Sequence, residues 1–427
     1  MKNNIQIDNK EYIFIAFIFL ISLLGNAGLL LFFLLILFFL KQKEVGALNI
    51  LVLITFRTIL NPGLGKSVDQ LQILKWIYIF SLSIYLISFW NKTNKDKINK
   101  VIIPIVIFFI ICEFVNFFVS SLPIVATFKL MSFIIPFVGT IIGINVSIKK
   151  YNWIRWMRKI VCSIILFSIP LAVLPVGYLR NGYSFQGITN QPNMLGIIIV
   201  LSVALYITDF QVNNDIKIWK IVTFLFIAFI EVVLCRARTA MLAMFVCIIF
   251  FIILANIKRD KKILFLMGIA FVALCIYWIN GSEIIKFFSD FFTKGNNNSI
   301  LYSRENQLNN LISNIKRSPI WGNGFSVPVL NYRSWEISFK YVMEPGNIIL
   351  AVISYCGIVG FISFCGMLFT IFKQNYKNWK SCILLFIAPL MISMAEMVFF
   401  STNNIAIIFY IMYGCYMFTE NKERENG

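Results

Sequence analysis

Histidine is absent from all 427 residues, which excludes the Ser/His and Cys/His nucleophile pairs and every histidine-based metal site. Charge is scarce as well. Asp, Glu, Lys and Arg make up 13% of the chain against 59% hydrophobic residues, where a soluble globular protein carries about 25% charged residues. No soluble fold hides that much apolar surface. Acidic residues are the rarer sign, 19 beside 38 Lys and Arg, and they form no cluster with metal-ligand spacing. There is no P-loop and no glycine-rich nucleotide loop. The energy for any reaction must then come from the substrate, and no metal and no cofactor is expected. A general base has to be Glu, Asp, Lys or Tyr, and a leaving group has to depart with help from Arg.

What is present is a succession of apolar runs close to the ~20 residues that cross roughly 30 Å of hydrocarbon. They lie near residues 12–25, 28–40, 46–61, 71–90, 101–120, 123–147 and 160–178, then 193–210, 217–235, 239–256, 262–280, 347–372, 380–400 and 403–419. This predicts an all-α, polytopic integral membrane protein of about twelve to fourteen transmembrane helices. The first pair reads either as one long tilted helix or as two short ones turning at Gly25-Asn26-Ala27-Gly28, and it anchors the chain rather than serving as a cleavable signal. The nine cysteines all fall inside apolar segments and read as free thiols packed as small hydrophobes.

Lys and Arg concentrate in short loops: Lys41 and Lys43; Lys92, Lys95, Lys97 and Lys100; Lys149, Lys150, Arg155, Arg158 and Lys159; Lys258, Arg259, Lys261 and Lys262; Lys373, Lys377 and Lys380. An even number of runs separates each group from the next, so the positive-inside bias assigns all of them to the cytoplasmic face. The net charge of +19 is therefore topology, and no nucleic-acid partner is expected. The remaining connections face outward, and one of them, Gly281 to Gly346, is far longer than the rest. Long loops in compact folds are usually functional or disordered. This one carries helical apolar spacing at Ile284, Ile285, Phe287, Phe288, Phe291 and Phe292, and again at Leu308, Leu311, Ile312 and Ile315. Amphipathic helices at the membrane surface, or helices packed on each other, satisfy that pattern. The organisation read from the sequence is an N-terminal transmembrane bundle over 1–280, a large external loop over 281–346, and C-terminal transmembrane helices over 347–427.

Ionisable residues inside apolar spans are expensive and are functional candidates by default. On the outer side the cations Arg57, Lys129, Arg180, Arg236, Arg238 and Arg304 outnumber the carboxylates Glu113, Glu231, Glu344 and Glu396. Taken one at a time, Glu231 and Glu396 also read as members of neutral interhelical ties. The surplus of cations points to an anionic ligand, and the planar fork of Arg suits phosphate oxygens.

Three stretches resemble the O-antigen polymerase and ligase family of bacterial envelopes. One is Gly187-Ile188-Thr189-Asn190-Gln191-Pro192-Asn193-Met194-Leu195-Gly196, followed by Ala237-Arg238-Thr239-Ala240-Met241-Leu242-Ala243. Another runs from Ser303-Arg304 through Ile315 to Pro319, Gly322 and Gly324; the third is Glu344-Pro345-Gly346-Asn347-Ile348-Ile349-Leu350 to Gly357-Ile358-Val359-Gly360. The resemblance covers about residues 187 to 360. It implies a GT-C-like, metal-independent glycosyltransferase of the bacterial cytoplasmic membrane, with its site facing the exterior. The partners it implies are a polyprenyl-diphosphate-linked oligosaccharide, membrane lipid, and a flippase and chain-length regulator proteins. By match, Arg238 and Arg304 would bind the diphosphate, while Asn193 and Asn347 stand in the motifs beside Arg57, Lys129, Arg180 and Arg236 as substrate-binding candidates. Ligases of this family place a His just before the Asn matching Asn347, where this chain has Gly346. That departure favours the repeat-unit polymerase branch for O-antigen or capsular polysaccharide, with Glu344 as base and Glu231 behind it. The alternatives are an O-antigen ligase and a lipid-linked oligosaccharide flippase.

Overall fold

A computed structural model of the chain describes residues 9–213, 216–254, 305–336 and 346–420. The described residues are helical throughout, with a single antiparallel bridge, Leu60 to Thr189, and no sheet. In chain order the helices are α1 Asn9–Ile21, α2 Gly25–Ile36, α3 Glu44–Thr58, α4 Gln72–Ile87, α5 Lys95–Phe118, α6 Pro123–Ser147 and α7 Trp153–Ser168. They continue as α8 Pro192–Asn213, α9 Ile218–Cys235, α10 Arg238–Leu254, α11 Glu305–Arg317, α12 Ile348–Gln374, α13 Trp379–Ser393 and α14 Ala406–Phe418. Their ends carry ordinary start signals. Asn94, Asn152 and Asn347 accept hydrogen bonds from backbone N–H groups of the first turns of α5, α7 and α12, and proline opens α6 and α8, where its missing N–H is no loss.

Each apolar run but one corresponds to a helix; the run near 262–280, its neighbouring basic loop and the amphipathic segment Ser282–Thr293 lie outside the described residues. The first pair resolves into two helices, α1 and α2, with the Gln42 amide donating to the Glu11 carboxylate across their far ends. Length separates the helices into two sorts. Among the described residues, eight helical stretches of 18 to 27 residues are long and apolar enough to cross a membrane, and three shorter apolar helices accompany them. The chain is thus an all-α multi-pass membrane protein. The expected twelve to fourteen crossings are not all matched by full-length helices, and α14 shows why. All 13 of its residues are buried, so it is a pillar inside the bundle, enclosed by α6, α12, α13 and α3, and its apolarity answers to protein neighbours instead of lipid. The central α8 is buried over most of its length in the same way. By contrast α5 leaves Ile103, Ile107, Ile110 and Phe118 exposed, an outward apolar face of the kind lipid covers.

Polar contacts gather at two opposite ends of this bundle. At one, Glu44 pairs with Lys150, Arg155 and Arg158 flank Asp209, and Lys97 reaches Glu420 at 2.8 Å; these are the basic loops. At the other, Arg57, Asn61, Lys129, Asn193, Asn347 and the 320s loop make their contacts. The eight described cysteines are free, and seven of them are buried.

One helix breaks on its way through. Inside α12, Gly357 has φ 63° and ψ −168°, and the segment after α11 is laid into the break. Asn323 and Gly324 N–H groups donate to Ser354 and Tyr355 carbonyls at 3.0 and 2.9 Å, while Ile358 N–H donates to the Pro319 carbonyl at 3.0 Å. Backbone groups that the break releases are satisfied by this loop, the condition under which irregular backbone is tolerated at membrane depth. A β-carbon on Gly357 would lie 1.9 Å from the Ile320 oxygen, and one on Gly322 2.5 Å from the Cys356 nitrogen. The Pro319-x-x-Gly322-x-Gly324 turn and Gly357 are two halves of one joint.

Candidate active site

The end that carries the sequence motifs holds a cavity of about 1200 Å³ between α4, α6, the start of α8, the 320s loop and residues 395–404. Its walls differ in chemistry. On one side Ile73, Trp76, Ile77, Phe80 and Ile84 of α4 stand with Phe128 of α6; Ile73 is 79% exposed and Ile84 57%, so this wall opens sideways out of the bundle. Lys129, Gln191, Asn193, Ser326, Glu396 and Asn404 supply the polar groups of the cavity's floor, interspersed with apolar Met194, Ile197, Phe325, Val398 and Phe400.

Several local devices hold that floor. Lys129 enters from α6 and donates to the Ser326 carbonyl at 2.6 Å, and Ser326 sits in the left-handed region at φ 57°, which turns its carbonyl toward the lysine. Asn193, in the first turn of α8, donates from Nδ2 to Glu396 Oε1 at 3.0 Å. The turn before α8 is fixed by the buried Asn61, a residue not among the candidates named from sequence. Its Nδ2 donates to the carbonyls of Val176 and Gly187 at 2.9 and 2.7 Å, and its backbone N–H donates to Ile188. Only the Asn61-Pro62-Gly63 turn hinted at it. Asn347 caps α12 through Oδ1, accepting from Ile349 and Leu350 N–H, and its Nδ2 donates to the Met394 carbonyl at 3.1 Å.

The segment 394–405 differs from expectation. The apolar run 380–400 reads as one span, yet α13 ends at Ser393, and Glu396 stands beyond the helix in an irregular strip that lines the cavity. Phe399 and Phe400 root this strip in an aromatic cluster with Phe133, Phe325 and Phe364, and the Thr402 hydroxyl donates to Ser132 at 2.7 Å. Their apolarity serves the core and not lipid, and sequence alone does not distinguish the two.

The candidates named from sequence divide by position. Lys129 and Asn193 line the cavity, and Asn347 braces its rim. Arg57 does not line it: the side chain is 1% exposed, and its guanidinium donates to the carbonyls of Ser22 and Lys66 at 3.0 and 2.7 Å. Arg180 lies exposed on the loop before α8. Arg236 occupies the left-handed turn between α9 and α10 at φ 53°, with its guanidinium over the Tyr183 ring at 5.2 Å. Arg238 opens α10 half-buried. Glu113 accepts from the Thr127 hydroxyl at 2.7 Å and from Asn116 at 3.3 Å, tying α5 to α6. Glu231 is buried in α9, and neither carboxylate oxygen has a hydrogen-bond partner. Arg304 and Glu344 lie outside the described residues.

Residues 221–365 match the family model described as O-antigen ligase. The chain carries an O-antigen ligase family domain. No curated protein matches the chain. The O-antigen ligase match takes in α9, α10, α11, the joint at Gly357 and Arg238, Arg304, Glu344 and Asn347. Of the cavity lining, Gln307, Phe325, Ser326, Gly346 and Tyr355 fall within the O-antigen ligase match; Lys129, Asn193 and Glu396 come from outside it. The cavity is therefore shared between the matched domain and the helices around it. The match of residues 221–365 supports a role in processing O-antigen or similar repeat units at the membrane.

Proposed function

We propose that the chain is a glycosyltransferase that takes glycan from a polyprenyl-diphosphate carrier and passes it to an acceptor hydroxyl at the outer membrane face. The observation that carries this reading is a cavity that combines a mostly apolar, partly exposed α4 lining with polar groups that include Lys129. A lipid-linked saccharide has the same combination, an isoprenoid tail, an anionic diphosphate and a polar sugar. In this reading the tail lies along α4, the diphosphate meets Lys129 with Arg238 and Arg304 supplying planar forks, and the sugars face the floor. Charge developing on the leaving diphosphate is stabilised by cations held in place before reaction, in a site poor in water.

Two acceptors are compatible with this chemistry. The matched family description names a ligase, which favours transfer of finished glycan to a different acceptor. Gly346 ahead of Asn347 in place of histidine favours repeat-unit polymerisation. A flippase accounts for neither the family match nor the joint between the 320s loop and α12. Incubating purified protein with lipid-linked repeat units separates these readings: a ladder of longer glycans supports polymerase, and transfer only when a second acceptor is added supports ligase. Arg238→Lys keeps the charge and loses bidentate contact, so the transfer rate should fall at least about tenfold at unchanged protein level. Normal glycan length from Arg238→Lys and Arg304→Lys alike would remove the diphosphate clamp from the scheme.

A further inference from the structure

The sequence motifs point to Glu344 as the base, which lies outside the described residues. We propose instead that Glu396 is the catalytic carboxylate of this site and that Asn193 is its positioning residue, an inference that rests on the glycosyl-transfer reading above.

Glu396 is the carboxylate lining the cavity, among the described residues, and three independent contacts hold it there. Its backbone N–H donates to the Ile392 carbonyl at 2.9 Å, closing the end of α13. The preceding Met394 carbonyl is held by Asn347, from the motif at the rim. Its own Oε1 accepts from Asn193, from the motif that opens α8. Beyond it, Phe399, Phe400 and Thr402 anchor the strip to the aromatic cluster and to α6. Two asparagines from two separate motifs thus converge on one short strip, and the ionisable side chain that strip presents to the cavity is Glu396. A tie between helices would need none of the open volume beside it. A carboxylate lining a cavity of about 1200 Å³ beside other polar groups is placed to receive an acceptor sugar.

The step balances without any further reagent. The acceptor hydroxyl oxygen forms a bond to the anomeric carbon of the donor as the bond from that carbon to the phosphate oxygen breaks. The electron pair leaves with the polyprenyl diphosphate, and the hydroxyl proton passes to Glu396. Asn193 donates to the ionised form of the carboxylate and so favours the state that accepts the proton. Among the described residues, the other titratable and charged groups lining this cavity are Lys129 from α6 and Tyr355 from α12; Arg238 opens α10, which packs beside α13, outside that lining.

The test uses the purified full chain in lipid nanodiscs with a polyprenyl-diphosphate-linked oligosaccharide, measuring donor binding and transfer rate separately across pH. Glu396→Gln should bind donor as the wild type does and lose about 10²- to 10⁴-fold in kcat. Asn193→Ala should move the acid limb of the rate profile to higher pH, because the ionised carboxylate loses a donor, and should recover rate in alkaline buffer; a merely structural role would lower the rate at every pH. Wild-type kcat from Glu396→Gln overturns the inference and leaves glycosyl transfer standing. A wild-type chain that binds donor and never transfers sugar overturns both. If Glu396→Gln does not fold, Glu396→Asp and Asn193→Ala decide, and an unchanged rate profile in both rejects the assignment.

Discussion

Arg57 and Lys129 look alike in the sequence, single cations inside apolar runs toward the outer side. Their surroundings separate them. Arg57 spends its guanidinium on two main-chain carbonyls, Ser22 and Lys66, and closes the space between α1 and the loop after α3. Lys129 stands at a cavity. Hydrogen bonds to a charged group are worth about 1.5 to 3 kcal/mol each in folding. Arg57→Ala should therefore lower the unfolding temperature of the solubilised protein by several degrees and leave the rate per folded molecule near normal. Lys129→Ala loses its own hydrogen bond to the Ser326 carbonyl and should cost some melting temperature too, but unlike Arg57→Ala it should weaken donor binding per folded molecule. Donor binding unchanged in Lys129→Ala would mean that Lys129 is another structural tie. At this scale the sequence identifies the chemistry of a side chain but not what it faces, since that depends on residues more than a hundred positions away, as with Asn193 and Glu396.

The helices were legible because crossing length and apolarity are local properties of a run. What escaped is where a helix gives way inside an apolar stretch. Residues 347–372 read as one continuous span, and nothing in Tyr355-Cys356-Gly357-Ile358 marks a break, because the partner that makes it favourable is the Pro319–Gly324 turn, distant in sequence. The strip after Ser393 resembles helix in the sequence for the related reason that Val398, Phe399 and Phe400 are as apolar as any lipid-facing residues. The break yields a contrast within a single helix. Gly357→Ala places a methyl against the Ile320 carbonyl at a positive φ and should cut the yield of folded protein severely. Gly366→Ala in the same helix meets nothing within 4 Å, and it should be neutral or stabilise by up to about 1 kcal/mol. Fluorescence-detected size exclusion of the two variants compares them directly, and equal yields would show that the joint is dispensable.

Across the whole molecule the polar contacts sort into a basic end and a motif-bearing end, and the positive-inside bias assigns the first to the cytoplasm. In a variant without native cysteines, Asn331→Cys should react with an impermeant maleimide on intact cells, whereas Lys95→Cys should react only after permeabilisation; the reverse pattern would turn the molecule over. The joint between the 320s loop and α12 bears on how proteins of this architecture diversify. Loops are ordinarily the freest parts to exchange between relatives, yet here the segment 318–325 completes the hydrogen bonding of a helix in the bundle, and that helix begins at the asparagine that braces the cavity rim. Grafting the 305–336 segment from a relative with a different sugar preference should therefore yield inactive chimaeras unless residues 347–360 travel with it. The unit of inheritance for specificity is the loop and its helix together.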